Sequence, residues 1–160
     1  MSDRRFGPVL SLLRQGISVE REFGTHSLEA LLSVAELVEE SVYERGSLMR
    51  VPSGITFRMN NPPLRTGAFS ALRIAVDGQW VSAHGARVRH GAGASWRSLS
   101  EISREAPLEL RPGESAEFSV DVSIPPRTPR LTVRLELQST TIPPLVWFEF
   151  RDALLIADRP

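Results

Sequence analysis

Three histidines, His26, His84 and His90, are the side chains best suited to proton transfer or metal ligation near neutral pH. His84 and His90 fall in or beside loops and could in principle face one ion. A metal centre normally takes three or four ligands, however, and their neighbourhood supplies arginine, glycine and alanine. Surface histidines are therefore expected, and no metal. Ser95, Ser98 and Ser100 lie in a loop region, but none stands in a Gly-x-Ser-x-Gly elbow, and a triad assembled in space stays open at this stage. Glu149 and Asp152 flank Arg151. In an extended chain Glu149 and Arg151 share one face while Asp152 points to the other, the pattern of a solvated edge rather than of two carboxylates across a cleft. Gly85, Gly91 and Gly93 are too loosely spaced for a phosphate cradle, and no lysine follows them. Of Trp80, Trp96 and Trp147, the last sits between Val146 and Phe148 and reads as core. Trp96, in a polar segment, is the candidate sugar contact.

Composition narrows the chemistry further. All 19 basic residues of the 160 are arginine, so a Schiff-base lysine and a Walker-type lysine are excluded. With no cysteine, disulfides, thiolate zinc sites and a cysteine nucleophile are excluded together. Nineteen acidic residues balance the arginines, and a net charge of zero argues against nucleic acid or an anionic membrane as the main partner. The run Val9, Leu10, Leu12, Leu13 is broken by Ser11 and Arg14 and is too short for a signal-peptide core; no span approaches the roughly 20 apolar residues of a membrane helix. A cytoplasmic protein without a cofactor is expected.

The elements that must carry these residues fall into two parts, an N-terminal helical segment over 1–50 and a β-sandwich domain over 51–160. Ser27 can cap a helix over Leu28 to Glu44, with Gly46 as its stop. Leu28, Leu31, Leu32, Ala35, Val38 and Val42 recur at steps of three and four along one face. That amphipathic stripe needs a cover: the sandwich, a second copy or another protein. Leu28, Leu31, Leu32 and Val38 are accordingly candidate partner contacts. After position 51 the period becomes two. Ile55, Phe57 and Met59 alternate with polar residues; so do Leu72, Ile74 and Val76, before an Asp77-Gly78 hairpin turn and a return through Trp80 and Val81. Val88 marks a short strand, and Leu99 to Ser103 allows one helical turn. Arg111-Pro112-Gly113-Glu114 is a tight reversal, followed by a long alternating strand from Ala116 to Ile124, another over Leu131 to Leu137, and a last one over Leu145 to Phe150. Short strands without intervening helices predict an antiparallel sandwich, immunoglobulin-like or jelly-roll.

Over residues 51–138, Phe57, the Arg65 and Gly67 turn, the strand ending in Val76-Asp77-Gly78, and the Pro112-Gly113 turn before a long alternating strand resemble the small β subunit of bacterial C-glycoside deglycosidases. The resemblance implies a β-sandwich that associates with a larger, metal-dependent barrel subunit carrying the metal and proton-transfer residues. It transfers no catalytic residue to this chain. Asn61, Pro62, Arg65 and Gly67 match the family's loop, which makes them candidates for a partner-facing edge. The function expected is thus a non-catalytic accessory subunit or interaction module of a bacterial complex, bound to a larger subunit or to itself; a stand-alone carbohydrate-binding sandwich is the alternative.

Overall fold

The computed structural model describes residues 42–61, 68–91, 93–111, 113–140 and 145–156. The expected helix over Leu28 to Glu44 lies outside them except at its end. There Val42 is helical, but Tyr43 is already bridged to Met59 and the Glu44 N–H donates to the Arg58 carbonyl. The helical period therefore stops two residues short of Glu44, because Tyr43 and Glu44 take partners in a sheet.

The described chain is mainly β, with ten strands in two sheets. They are β1 (Met49–Val51), β2 (Gly54–Asn60), β3 (Phe69–Val76), β4 (Gln79–Trp80), β5 (Ala86–His90), β6 (Arg97–Ser98), β7 (Ser115–Asp121), β8 (Arg130–Ser139), β9 (Leu145–Ala153) and β10 (Leu155–Ile156). One sheet has the order β10-β1-β2-β7-β5-β6 and the other β4-β3-β8-β9. All neighbours are antiparallel except β1 and β10.

The two-residue period explains the packing. Ile55, Phe57 and Met59 of β2, Phe118 and Val120 of β7, and Val88 of β5 point inward from the first sheet. Leu72 and Ile74 of β3, Leu131, Val133, Leu135 and Leu137 of β8, and Phe148 of β9 meet them from the second. The result is one sandwich-like core. It also recruits Val42, Tyr43 and Leu48, ahead of the point where the sequence period changes. The Asp77-Gly78 turn is realised with positive φ at both residues, 47° and 81°, as the tightest hairpins require. The helical turn expected after Leu99 is a single 3-10 turn over Leu99–Glu101, opened by a capping box between Ser98 and Glu101. The strand expected to run from Ala116 to Ile124 ends at Asp121; Val122 instead donates its N–H to the Ser53 carbonyl at 3.1 Å, and Pro125-Pro126 cannot extend a ladder.

At one end of the two sheets, where β2 and β8 finish and β3 and β9 begin, an apolar cavity of about 40 Å³ lies between them. Among the described residues no helix is long and apolar enough to cross a membrane.

Candidate functional site

The last described strand is built by a change of sheet. At Asp152 the chain still belongs to β9, paired with Leu131. Leu154 is buried and donates its N–H to the Pro129 carbonyl at 3.0 Å, and Leu155 then donates to the Leu48 carbonyl of the opposite sheet, also at 3.0 Å. The two residues that follow the crossing form β10, beside β1, at the rim of the six-stranded sheet. Leu155 is 44% exposed and Ile156 76%. An apolar pair at a sheet edge is unusual, since edges are ordinarily blunted with charge or proline.

A tie inside the chain holds this crossing in place. The Asp152 carboxylate accepts the Tyr43 hydroxyl at 2.7 Å and the Gly46 N–H at 2.8 Å. The Tyr43 ring stacks on Phe150, centroids 3.6 Å apart. Burial pushes the Asp152 carboxyl up, but the Gly46 N–H, the Tyr43 hydroxyl, the Ala153 N–H and the charge of Arg45 together outweigh it and hold the group below its ordinary value. Burial, helped by the Asp152 hydrogen bond and charge, drives the Tyr43 phenol well above the usual tyrosine range. Asp152 is thus a structural acceptor, not part of the solvated edge that its sequence position suggests. A carboxyl held low contributes fully above its ordinary value of 3.8, and that contribution is lost as pH falls below it through the folded pKa. Tyr43→Phe is therefore expected to cost about 1–2 kcal/mol at neutral pH. The gap from wild type should close in acid below the carboxylate range, as urea midpoints at the two conditions will show.

The other residues singled out from sequence are dispersed. His84 is exposed in the 3-10 turn Ala83–Gly85 and His90 is exposed at the end of β5. Among the described residues no group of three or more His, Asp or Glu is placed to hold a metal ion. The Ser98 and Ser100 hydroxyls lie 2.8 Å apart, and Ser98 Oγ accepts the Ser100 N–H and donates to the Ala83 carbonyl. They cap a turn. Asn61 is buried at 5% exposure. Its Nδ2 donates to the Leu110 carbonyl at 2.9 Å, its N–H to the Glu114 carbonyl at 2.7 Å, and its carbonyl accepts the Gly113 N–H at 2.9 Å. Those bonds fasten the end of β2 to the turn before β7. Leu28, Leu31, Leu32, Val38, Pro62, Arg65 and Gly67 lie outside the described residues.

No family model matches the chain, and no curated protein matches it.

Several of the described arginines have local partners. Arg50 reaches the Ile124 and Pro125 carbonyls at 3.0 and 2.9 Å, and Arg97 the Pro107 and Glu101 carbonyls, both at 3.0 Å. Arg58 pairs with Glu44, Arg89 with Glu117 and Arg134 with Glu136. Two of the tryptophans share their rings with guanidiniums. Arg89 lies over Trp96 at 4.5 Å and Arg73 over Trp80 at 4.0 Å, distances at which cation–π attraction is effective. Trp96 is half-buried, whereas Trp80 is 47% exposed, so the more open ring is on β4 rather than in the polar segment.

Proposed function

We propose that this chain is a non-catalytic accessory subunit, or interaction module, of a cytoplasmic bacterial complex, and that a larger subunit sits on the β10 edge. The observation that carries the reading is the exposure of Leu155 and Ile156 on the terminal strand of the six-stranded sheet. Leaving apolar side chains in water costs roughly 25 cal/mol per Å², and a partner that covers them recovers that amount. A strand added beside β10 would also extend the sheet through main-chain hydrogen bonds, a common mode of recognition at sheet edges.

An immunoglobulin-like arrangement is supported by strand order. With β1, β2, β7 and β5 taken as A, B, E and D, and β3, β8 and β9 as C, F and G, the two sheets follow the order of such sandwiches. A role in glycoside processing is supported by the resemblance at Phe57, Val76-Asp77-Gly78 and Pro112-Gly113. The second reading, a stand-alone carbohydrate-binding sandwich, draws on the part-exposed rings of Trp80 and Trp96. Sugar would then have to use the ring faces that Arg73 and Arg89 leave open.

The test is purification of the tagged chain from its native host. The expected result is a stoichiometric complex with a larger chain, weakened about tenfold or more by Ile156→Asp with no change in melting temperature. A wild-type monomer that shifts its tryptophan fluorescence with oligosaccharides would favour the second reading. A complex indifferent to Ile156→Asp would remove β10 from the contact.

A further inference from the structure

Three of the four sheet edges among the described residues are short, since β4, β6 and β10 have two residues each. The fourth, β9, has nine, and among the described residues only β8 pairs with it. Long edges are ordinarily avoided, because their outward N–H and C=O groups accept another strand. The hydrogen bonds identify those groups. Leu154 gives its N–H to the Pro129 carbonyl at 3.0 Å, and the β8–β9 register continues from that pair without a shift. In an antiparallel ladder, such bonded pairs alternate with pairs whose polar groups point away. Phe148, Phe150 and Asp152 therefore bond to β8, while Glu149, Arg151 and Ala153 face outward. Two further observations agree. Thr132, opposite Arg151, gives both of its backbone groups to Asp77 on the far side of β8. The Ala153 N–H is taken by its own Asp152 carboxylate at 2.8 Å.

We propose that β9 pairs with β9 of a second copy of this chain, antiparallel and centred on Phe150, so that the two four-stranded sheets join edge to edge. Charge selects the register. Phe148 and Phe150 pack toward the core, so alternation puts the Glu149 and Arg151 side chains on the outer face of the sheet. Outward-facing backbone must meet outward-facing backbone, so the two-fold axis of such a pair falls on a residue. An axis on Glu149 sets two carboxylates opposite each other, and one on Arg151 sets two guanidiniums opposite; both are destabilising. An axis on Phe150 sets Glu149 of each copy opposite Arg151 of the other, and no other centre in the strand does so. Both outward groups of Glu149 and of Arg151 are then bonded in each copy. The strand is complementary to itself in that one register. The contact is separate from the one proposed at β10, which edges the other sheet.

The experiment is sedimentation of the purified full chain over a dilution series, with amide exchange read at both ends of the series. A dimer is expected, and the Glu149 and Arg151 amides should gain protection as it forms. Arg151→Glu, at an exposed position, should weaken the dimer about tenfold, with the melting temperature of the dilute chain unchanged. Glu149→Arg should weaken it similarly. Mixed in equal amounts, the two variants should form a heterodimer close to wild-type affinity, because one copy then presents two acids and the other two bases. Glu149 lies opposite Arg134 across β8, so Glu149→Arg also strains its own sheet. Should it not fold, Arg151→Pro removes an outward N–H and no bond to β8, and reads out the same loss. A monomer at every concentration with those amides protected would give the edge to another segment of the same chain; with them unprotected, the edge is simply open. A dimer indifferent to both charge reversals, or a mixture no tighter than either variant alone, would place the interface elsewhere. Each of these results overturns the proposal.

Discussion

Phe57→Ala is expected to lower the unfolding free energy by about 3–5 kcal/mol. Phe57 is fully buried and faces Phe118 across the β2–β7 ladder with ring centroids 5.1 Å apart. It also meets the edge of Phe150 from the other sheet at 5.4 Å. One ring thus joins β2, β7 and β9. Truncation removes the transfer free energy of the ring and leaves a hole that strands held in register on two sides cannot collapse into. Small domains have only about 5–15 kcal/mol in total, so the variant should approach the folding threshold. The urea midpoint should fall with the slope unchanged, and Phe57→Leu should recover more than half of the loss. A shift below about 1 kcal/mol would mean that the two sheets do not meet at this ring.

Gly54→Ala is expected to cost about 3 kcal/mol or more. Gly54 opens β2 opposite Asp121, just past the β1–β2 turn. A Cβ there would run into the Val120 carbonyl and stand 2.6 Å from the Val122 nitrogen. Both are backbone atoms, of β7 and of the residue just past its end, so relief requires moving the main chain rather than rotating a side chain. Gly78→Ala is the informative comparison. Its position is open, but its φ is +81°, so only the left-handed strain applies, about 1–2 kcal/mol. Equal losses at the two positions in thermal or urea unfolding would contradict the close approach of β2 to β7.

Much of the fold is legible in the sequence because it rests on the two-residue period. Phe57, Ile74 and Val133 each lie in a run long enough to display it, and Asp77-Gly78 announces its own turn. What is illegible has physical reasons. β1, β6 and β10 have two or three residues each, too few to show any period, so nothing in the sequence marks the exposed pair Leu155-Ile156 as a strand. The Tyr43–Asp152 bond joins residues 109 positions apart, and nothing in the local pattern of either predicts the other. Tyr43 continues an apolar helical run, and only its bridge to Met59 ends that run. Trp80 follows a hairpin turn and looks like the start of the returning strand. The strand is two residues long, though, and its ring stays at the surface under Arg73. Asn61, beside two prolines, reads as a loop residue. Its burial follows from the reversal at Gly113, which brings two carbonyls and an N–H to it from a distant segment.

The contact proposed for the β10 edge would leave a trace in the backbone amides of that strand. Hydrogen exchange measured on the free chain and on the complex proposed for it with a larger subunit tests this contact. New protection is expected at the Leu155 and Ile156 amides and their β1 neighbours Met49 and Arg50, with the interior of β7 unchanged. Protection that appears only around Trp80 and Trp96, with the β10 amides exchanging at the same rate in both states, would contradict it.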